Sequence, residues 1–318
     1  MRISRGIPVA ADSPLALTIG NFDGVHLGHQ AMLDVLLHAA GRRSLMPGVM
    51  TFEPHPREFF APDQAPTRLT SLREKLELLA ARGVGRTHIC RFNYAFAQIT
   101  AEEFIERIIA QGLGVRWLLV GDDFRFGARR AGDVVTLKRA AARFGFEVEA
   151  VASVTLDGER VSSTAVRTAL AAGNLARAAQ LLGRAYSISG RVVRGEGIGH
   201  QLGFPTANVQ MKHNRPPLAG IFAVELAGIG ERPLRGVASL GVRPTIHVHG
   251  APVLEVHVFD FDATLYGRHV RVDFLHKFRD EEKYADLAAL TRQIGLDVAN
   301  AREFFSRRDA AKAQEKRA

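Results

Sequence analysis

Hydrophobic positions in the first part of the chain alternate between two periods. Short runs rich in Val, Leu and Ile are separated by longer stretches in which apolar residues recur every three to four positions, the pattern of strands alternating with helices. Strands are predicted over LALTIG, GVMTF, THICRF, WLLVG and FEVEAV. Helices are predicted over AMLDVLLHAA, LREKLELLAARG and AEEFIERIIAQG, and in the first of these Met32, Val35 and Leu36 fall on one face. The order predicts an α/β domain built on an open, mostly parallel sheet with helices on both faces.

From about Tyr186 the pattern changes to strand-like segments separated by glycine or proline turns. These segments are YSISGRVVRG, GIFAVEL, LRGVASLGVR, LEVHVFDF and HVRVDFL. They predict a small β-barrel or sandwich, and the helix-like stretch EEKYADLAALTRQI that follows is expected to close an open end of a barrel. The change of pattern lies in the helical connector ALAAGNLARAAQLLGR. We therefore expect two domains, residues 1–183 and 184–318.

Composition agrees with two folded domains and indicates a compartment. With 318 residues, of which 47% are hydrophobic and 24% charged, the chain can bury ordinary globular cores. No apolar run approaches the ~18 residues of a membrane span, and the N-terminus lacks the apolar centre of a signal peptide, so a cytoplasmic location is expected. Cys90 is the single cysteine. It excludes an intrachain disulfide and a cysteine-cluster metal site, and we expect it to fill space in a strand.

The net charge of +9 indicates anionic ligands without choosing among them. A basic protein attracts nucleic acid, anionic membranes and phosphorylated small molecules alike, and a solvated basic surface has the same composition. Part of the excess lies in the final stretch SRRDAAKAQEKRA, which is polar and without aromatic residues. We expect this stretch to be a frayed helix or a tail.

The stretch GNFDGVHLGHQ, Gly20 to Gln30, is the first candidate site. It lies between the first predicted strand and the first predicted helix, where open α/β sheets bind ligands. Its glycines allow backbone N–H groups to approach a phosphate, and the helix start adds a positive dipole end. His26 and His29 are three residues apart, so both imidazoles can face that anion from one side of the first turn and hydrogen-bond its oxygens. Capping and packing are the alternative roles for the two histidines.

Other phosphate-binding motifs are missing from the sequence. Neither GxxxxGK[ST] nor GxGxxG occurs, and GEGIG at Gly195 to Gly199 is too weak a match to replace them. VSSTAVRTAL, in contrast, predicts a helix start at which Ser162 or Ser163 caps exposed N–H groups. Arg167 then lies about one turn into that helix and can reach a phosphate.

Two further loops follow predicted strands and should meet at the same edge of the sheet. They are FEPHP, Phe52 to Pro56, and DDFRFGARRAGD, Asp122 to Asp133. The second loop carries positive charge on Arg125, Arg129 and Arg130. Its aromatic rings, Phe124 and Phe126, offer faces for stacking on a planar group.

The histidine motif H-x-G-H after a first strand, with SSTAVR further on, resembles the nucleotidylyltransferase superfamily, whose members transfer a nucleotide from ATP to a phosphate and release pyrophosphate. The four motifs GNFDGVHLGHQ, FEPHP, VGDDFRFG and SSTAVR, in this order, resemble the FMN adenylyltransferase half of the bacterial bifunctional riboflavin kinase/FAD synthetases. The resemblance spans nearly the whole chain. It implies a Rossmann-like nucleotidylyltransferase domain over residues 1–183.

The resemblance also implies roles for individual residues. His26 and His29 would be catalytic, binding and polarising the ATP phosphates. The remaining ATP-binding residues would be Gly20, Asn21, Phe22, Asp23 and Gly24 in the nucleotide loop, and Ser163, Thr164 and Arg167 on the triphosphate. The pocket for flavin and nucleotide would comprise Phe52, Pro54, His55, Pro56, Asp123, Phe124 and Phe126.

In the second half, LGFPTANV resembles the flavokinase motif GFPTAN. Thr206 and Asn208 carry neutral oxygens suited to Mg²⁺, which bridges nucleotide phosphates, and Pro205 stiffens the turn before them. Taken alone, these are ordinary turn residues. The resemblance implies a six-stranded β-barrel riboflavin kinase domain with a closing helix, in which Gly203, Thr206 and Asn208 bind ATP and the metal.

Glu255 is the candidate to accept the proton of the reacting hydroxyl group. Two-residue alternation in LEVHVFDF places Glu255, His257, Phe259 and Phe261 on one face and Leu254, Val256 and Val258 on the other. The family has its catalytic glutamate in this strand, whereas His257 is a strand side chain of unknown partner. One departure from the family stands at His200, where an arginine is frequent; if that position contacts phosphate, histidine would make the contact weaker and pH-dependent.

The resulting prediction is an enzyme with two sites. ATP and riboflavin give FMN and ADP in the β-domain, and ATP and FMN give FAD and pyrophosphate in the α/β domain, both with Mg²⁺. We expect no nucleic-acid or membrane partner, and a monomer or weak homo-oligomer. One alternative is transfer to another phosphate ester, such as phosphopantetheine or a pyridine mononucleotide, which leaves GFPTAN and Glu255 unexplained. The other is a basic RNA-binding or regulatory protein, although no RNP, KH or zinc-knuckle motif occurs.

Overall fold

The computed structural model describes residues 1–8, 10–195, 197–213, 215–242 and 252–315. Contacts between Cα atoms divide the chain into two compact units, which we name the α/β unit and the barrel unit. The α/β unit comprises Met1–Pro66 and Thr70–Ser163, and the barrel unit comprises Thr67–Leu69 and Thr164–Ala318. The predicted boundary after residue 183 follows the change of periodicity and stays a prediction.

The α/β unit alternates strands and helices, as its periodicity predicts. Its strands are β1 (Arg2–Arg5), β2 (Leu15–Ile19), β3 (Met46–Glu53), β4 (Arg86–Arg91), β5 (Val115–Gly121), β6 (Glu147–Val151), β7 (Thr155–Leu156) and β8 (Glu159–Arg160). Its helices are α1 (Leu27–Arg43), α2 (Pro56–Phe60), α3 (Leu72–Ala81), α4 (Tyr94–Ala97), α5 (Ala101–Glu103) with the π-helical continuation Phe104–Gly112, and α6 (Val134–Phe144), besides single 3-10 turns at Pro62–Gln64 and Ala128–Arg130.

The six strands β1 to β6 form a parallel sheet in the order β1-β4-β3-β2-β5-β6. One apolar core packs helices against one face of the sheet, and a second core packs α1 and α3 against the other face. The predicted parallel sheet with helices on both faces is confirmed. β1 was not predicted, because the sequence RISR at this edge is polar and mostly exposed and carries no hydrophobic signal.

The predicted face of α1, with Met32, Val35 and Leu36, packs against the core. Leu33 and Leu36 are fully buried, whereas Met32 and Val35 are only half-buried. Met32 and Val35 pack against the edge of this core and also line a cavity, described below.

The order of the strands creates a ligand crevice. From β2 the chain continues to β3 on one side, and it later returns to β5 on the other side of β2. In open α/β sheets, ligands bind at such a switch point, outside the carboxyl ends of the strands. The loops after β2 and β5, which carry two of the four motifs, flank this point.

The barrel unit comprises helices and a closed antiparallel barrel in the order β10-β13-β12-β11-β14-β9, which confirms the predicted six-stranded barrel. Its helices are α7 (Ser163–Ala171), of which Ser163 itself belongs to the α/β unit, α8 (Leu175–Leu182), α9 (Ile198–Gln201) and α10 (Leu287–Glu315). Its strands are β9 (Tyr186–Val193), β10 (Ala207–Met211), β11 (Gly220–Ala227), β12 (Leu234–Val242), β13 (Pro252–Val258) and β14 (His269–Arg279). Arg243, the last residue of one predicted strand, lies outside the described residues.

The closing helix α10 packs against β11 and β12, with Phe305 buried between them. It begins at Leu287 rather than near Glu281, because the Asp286 carboxylate caps it by accepting a hydrogen bond from the amide of Ala289 (2.7 Å). The final stretch, expected to be a frayed helix or a tail, is helical as far as Glu315. The last three residues lie outside the described part of the chain.

Two further expectations concern single features. Cys90 is fully buried in β4, where burial raises the pKa of its thiol to about 12, so it fills space in a strand as predicted. Among the residues that the structure describes, no helix combines the length and the apolar character needed to cross a membrane.

Candidate active sites

The turn between β2 and α1 has an unusual backbone. φ is positive at Phe22 (48°), Gly24 (81°) and Val25 (42°), and a positive φ is rare for a bulky or β-branched residue. Such a conformation persists only where the surrounding structure holds it. Phe22 and Val25 are both buried, so packing is one of the constraints.

Asp23 supplies a second constraint through hydrogen bonds. Its Oδ1 accepts from the backbone N–H of Thr70 (3.0 Å) and from the Thr70 hydroxyl (3.1 Å), and that hydroxyl accepts from the N–H of Gly24 (3.1 Å). The carbonyl of Asp23 accepts from the hydroxyl of Ser163 (2.9 Å). Asp23 and Thr70 are nearly fully buried. Asp23 therefore shapes the turn from beneath rather than facing a ligand.

The turn presents the two histidines together. His26 is the N-cap of α1, and its ring accepts a hydrogen bond from the backbone N–H of His29 (3.4 Å). The two imidazole rings stack with centroids 3.7 Å apart. A Cβ at Gly28 would lie 3.2 Å from the His26 ring, so a larger residue there would press on that ring. The phosphate-facing pair inferred from the spacing is thus a stacked pair at a helix N-terminus.

His29 is an electrically neutral imidazole at pH 7. Burial lowers its pKa well below the usual value, and the nearby His26 and the positive charge of Lys75 lower it further. Its Nδ1 is buried without a hydrogen-bond partner among the described residues. A neutral imidazole donates one hydrogen bond and accepts one, so His29 can bind phosphoryl oxygen as a donor without carrying charge.

Both histidines line a cavity of about 390 Å³ at the switch point of the sheet. The predicted site residues that line it with them are Gly20, Phe22, Asp123 and Phe124. Arg160 and Ser162 also line it, and Arg160 pairs with the Asp123 carboxylate at 2.7 Å. Arg160 was missed by the sequence reasoning; its position directly before the SST motif, on the β7–β8 hairpin, was the available signal.

The FEPHP loop and Phe126 do not line this cavity. His55 is the N-cap of α2. Its ring accepts a hydrogen bond from the backbone N–H of Arg57 (3.1 Å), and its backbone N–H donates one to the carboxylate of Glu58 (3.1 Å). Phe52 packs edge-on against Phe92, with centroids 6.0 Å apart. Phe126 is buried and stacks against Phe124, centroids 5.6 Å apart. Pro54 and Pro56 flank His55, so the loop is shaped by capping and aromatic packing.

The remaining predicted triphosphate residues lie at the start of α7. Ser163 belongs to the α/β unit, and its hydroxyl donates a hydrogen bond to the backbone carbonyl of Asp23. Thr164 and Arg167 belong to the barrel unit. Within that unit, Arg167 Nε donates to the carbonyl of Thr67 (2.6 Å). Asn21, finally, has a buried side-chain oxygen without a partner among the described residues.

In the barrel, the strand register brings the kinase candidates together. Glu255 on β13 lies opposite Asn208 on β10 and opposite Ser239 on β12, so the three side chains share one face of the wall. Leu254 and Val256 are fully buried on the other face, as the alternation predicts. The Ser239 hydroxyl donates to a carboxylate that sequence reasoning missed, that of Glu281 (2.8 Å).

Phe259 lies on the predicted face with His257, since their rings are in contact with centroids 5.9 Å apart. Phe261 does not, because β13 ends at Val258 and Phe261 lines a cavity with Val256 and Val258. Phe259 is buried and packs edge-on against Phe305 of α10, centroids 6.4 Å apart. Its ring therefore serves the core between barrel and helix.

The GFPTAN turn leads directly into β10 and packs against a glycine-containing turn. A Cβ on Gly199 would lie 2.6 Å from the carbonyl oxygen of Phe204 and 3.2 Å from the Thr206 hydroxyl, and a Cβ on Gly195 would overlap the side chain of Asn208. Because neither glycine can be larger, the two turns cradle the side chains of Thr206 and Asn208 from one side.

The other predicted residues of the barrel unit differ in how close they lie to the GFPTAN turn. His257 has a partner, since its Nδ1 is 2.9 Å from the carbonyl oxygen of Pro205. Thr206 lines a second cavity, of about 130 Å³, whereas Glu255 and Asn208 do not. Gly203 adopts a positive φ of 83° in the turn. His200 is exposed on α9. No cluster of three or more His, Cys, Asp or Glu side chains suited to a metal occurs among the described residues.

A parallel sheet with paired histidines after its second strand, followed by a six-stranded barrel with a PTAN turn, defines a nucleotidylyltransferase domain joined to a flavokinase domain. A family model described as FAD synthetase matches residues 9–165, and one described as riboflavin kinase matches residues 182–305. The chain belongs to the family of bifunctional riboflavin kinase/FMN adenylyltransferases.

The relatives of that name match along almost the full chain. The protein of Escherichia coli (strain K12) is 48% identical over 308 residues, covering 96% of this chain and 98% of the relative. The protein of Haemophilus influenzae is 44% identical over 291 residues, covering 92% and 94%. A crystal structure described as a macrolide-efflux protein from Streptococcus pneumoniae has a TM-score of 0.79 and 29% identity, covering 93% of this chain and 97% of that one.

Proposed function

We propose that the α/β unit transfers the AMP group of ATP to the phosphate of FMN, and that the barrel unit transfers the γ-phosphoryl group of ATP to riboflavin. Both activities are those of the family to which the chain belongs. The observation that supports the first assignment most directly is the stacked pair His26 and His29 in the switch-point cavity. For the second assignment, it is the register that sets Asn208 beside Glu255.

In the adenylyl transfer, a phosphate oxygen of FMN attacks the α-phosphorus of ATP. A new P–O bond forms, the bond to the β-phosphate breaks, and pyrophosphate leaves with the electron pair. His26 and His29 lie at the N-terminus of α1, where the helix dipole favours an anion. Their hydrogen bonds to the phosphoryl oxygens would strengthen as negative charge builds in the transition state.

The walls of the cavity indicate how the substrates are held. Gly20 lines the cavity and has no side chain, so a phosphate could approach the backbone there. Phe124 offers a face for a planar ring. The pairing of Asp123 with Arg160 balances a carboxylate that would otherwise repel ATP. We propose that this pair lies beside the phosphates or the flavin.

In the barrel, a riboflavin hydroxyl oxygen attacks the γ-phosphorus of ATP, and ADP leaves. Glu255 would orient that hydroxyl group and take its proton. The cradled oxygens of Thr206 and Asn208 fit Mg²⁺, which accepts neutral oxygen ligands and keeps several waters. When bound, the ion would neutralise charge on the ATP phosphates. A need for Mg²⁺ in both steps remains part of this proposal.

The test is to incubate the purified protein with riboflavin, ATP and Mg²⁺ and to separate the flavins by chromatography over time. FMN should accumulate first and FAD second. His29→Ala should abolish FAD formation and leave riboflavin phosphorylation intact, and Glu255→Gln should do the reverse. Loss of both activities in either folded variant contradicts two separate sites. Pyrophosphate release with another phosphate ester, but not with FMN, would reassign the acceptor.

The proposal includes three properties of the whole protein. We propose a cytoplasmic enzyme without a nucleic-acid partner; part of its positive charge lies in ion pairs such as Arg43 with Glu147 and Arg143 with Glu102. We also propose a monomer or weak homo-oligomer. Light scattering at two protein concentrations tests the last point, and negligible RNA binding at low salt tests the second.

A further inference from the structure

Lys75 is a buried cation that the reaction described above does not use. It lies on α3, and only 5% of its surface is exposed. Lysine is almost never buried to this extent unless its charge is paired, because removal of an ammonium group from water is costly. An apolar side chain of similar length would fill the same space without that cost, so packing alone does not account for a lysine here.

The contacts of Lys75 lead to the nucleotide loop. Its Nζ lies 3.5 Å from Oγ1 of Thr51, at hydrogen-bond distance. Thr51 is fully buried on β3, and its hydroxyl donates to the carbonyl oxygen of Asn21 (3.2 Å). Asn21 begins the turn whose positive φ values and buried side chains were described above. The ammonium group therefore polarises the hydroxyl group that holds the first residue of this turn.

The same short segment supports the turn at a second point. Thr70, five residues before Lys75, holds Asp23 and Gly24 by the three hydrogen bonds already given. The segment from Thr70 to Lys75 thus supports both the start and the middle of the strained turn. A fixed positive charge at this position also acts on the histidine side of the turn, because Lys75 contributes to the lowered pKa of His29.

We propose that Lys75 is a positioning residue for adenylyl transfer: through Thr51 it fixes the Asn21–Val25 turn that presents His26 and His29, and it places a buried positive charge behind the phosphate site. In a site shielded from water such a charge acts at longer range than at the surface. The inference rests on the proposed adenylyltransferase function of this cavity.

The first test compares Lys75→Met with wild type and with Lys138→Met, which removes an exposed lysine of α6 in the same unit. Lys75→Met should lower kcat for FAD formation from FMN roughly 10- to 100-fold, the loss expected from a small misplacement of catalytic groups. Riboflavin phosphorylation should change less than about twofold, since it belongs to the barrel. Lys138→Met should match wild type in both reactions.

The second test uses a readout that does not depend on activity. The titration of the His29 ring, followed by NMR and assigned with His29→Asn, should move to higher pH in Lys75→Met. The groups that can also affect this titration are His26 on the same helix and, across the cavity, Asp123 and Arg160. All of them are unchanged in the variant, so the shift reports Lys75.

A matched pair at Thr51 keeps the proposal falsifiable if Lys75→Met does not fold. Thr51→Val removes the hydroxyl relay and keeps the shape, and should lower FAD formation about tenfold, whereas Thr51→Ser should restore most of it. Unchanged FAD formation in Thr51→Val, or an unchanged His29 titration in Lys75→Met, overturns the proposal. If wild type makes no FAD while the titration still shifts, the placement of Lys75 stands and the proposed function fails.

Discussion

The hydrogen bonds between Asp23 and Thr70 should account for a large share of the stability of the α/β unit. Two of them end on the Asp23 carboxylate, and both residues are nearly fully buried. Hydrogen bonds to a charged group contribute about 1.5–3 kcal/mol each, and a buried donor left without a partner adds its own cost. Asp23→Ala removes the acceptor of the Thr70 backbone N–H, while the Thr70 hydroxyl still accepts the hydrogen bond from the N–H of Gly24. We expect a loss of about 2–4 kcal/mol in the free energy of unfolding.

The chain contains its own probe for this measurement. Trp117 is the single tryptophan and is fully buried in β5, so its fluorescence reports the α/β unit and not the barrel. A denaturant slope of about 2 kcal/mol per molar urea is expected for a unit of this size. The urea midpoint followed by Trp117 should then fall by about 1–2 M in Asp23→Ala. FAD formation should fall with it at low urea, because the histidine turn loses its support.

Two controls give the measurement its meaning. Asp23→Asn keeps an acceptor oxygen in place and should cost less than Asp23→Ala. Thr70→Val removes only the hydroxyl group and leaves the backbone N–H bond to Asp23, and the two changes together should cost less than their sum because they share bonds. A midpoint shift below about 0.3 M in Asp23→Ala would refute the reasoning, since it would mean that the turn does not depend on these bonds.

The remaining predictions concern pH, the kinase site and the closing helix. Because burial lowers the pKa of His29, the unfolded chain binds a proton below about pH 6.5 that the folded unit does not bind. The stability reported by Trp117 should therefore fall as the pH drops through this range, by at most about 1.4 kcal/mol per pH unit from this group, and His29→Asn should flatten the curve. His200→Arg should lower the KM for ATP in riboflavin phosphorylation severalfold, measured by initial rates, if this exposed residue contacts phosphate; an unchanged KM refutes that contact. Phe305→Ala should destabilise the barrel by about 3–5 kcal/mol in calorimetry, whereas Asp309→Ala, which breaks an exposed ion pair, should cost less than about 1 kcal/mol.

Much of the fold followed from local pattern. The strands from Leu15 to Val151 and the barrel strands other than β10 were predicted from runs of apolar residues, because side-chain period is a property of neighbouring positions. Short polar elements escaped this reasoning. β1 and the β7–β8 hairpin bury too little apolar surface to show a period.

The residues of the candidate sites also divide into those that short motifs predicted and those that they did not. The paired histidines, the PTAN turn and Glu255 stand in short motifs at strand ends or in an alternating strand, and the structure groups them as the spacing suggested. Thr70 and Lys75 lie far along the chain from the histidine turn, and nothing near them in the sequence links them to it. Phe124 and Phe126 are two residues apart, yet one lines the cavity and the other packs in the core.

The sequence by itself determined the two architectures, the order of the strands along the chain and the motifs that identify the family. Only the tertiary structure decided which side chains face the cavity and which support the turn from below. The physical reason is the separation of the residues along the chain. Periodicity and motifs record interactions between residues close in sequence, whereas the Asp23–Thr70 and Lys75–Thr51 contacts join distant residues and depend on strand order and packing. Residues of no distinctive local pattern thereby hold the histidine turn in place.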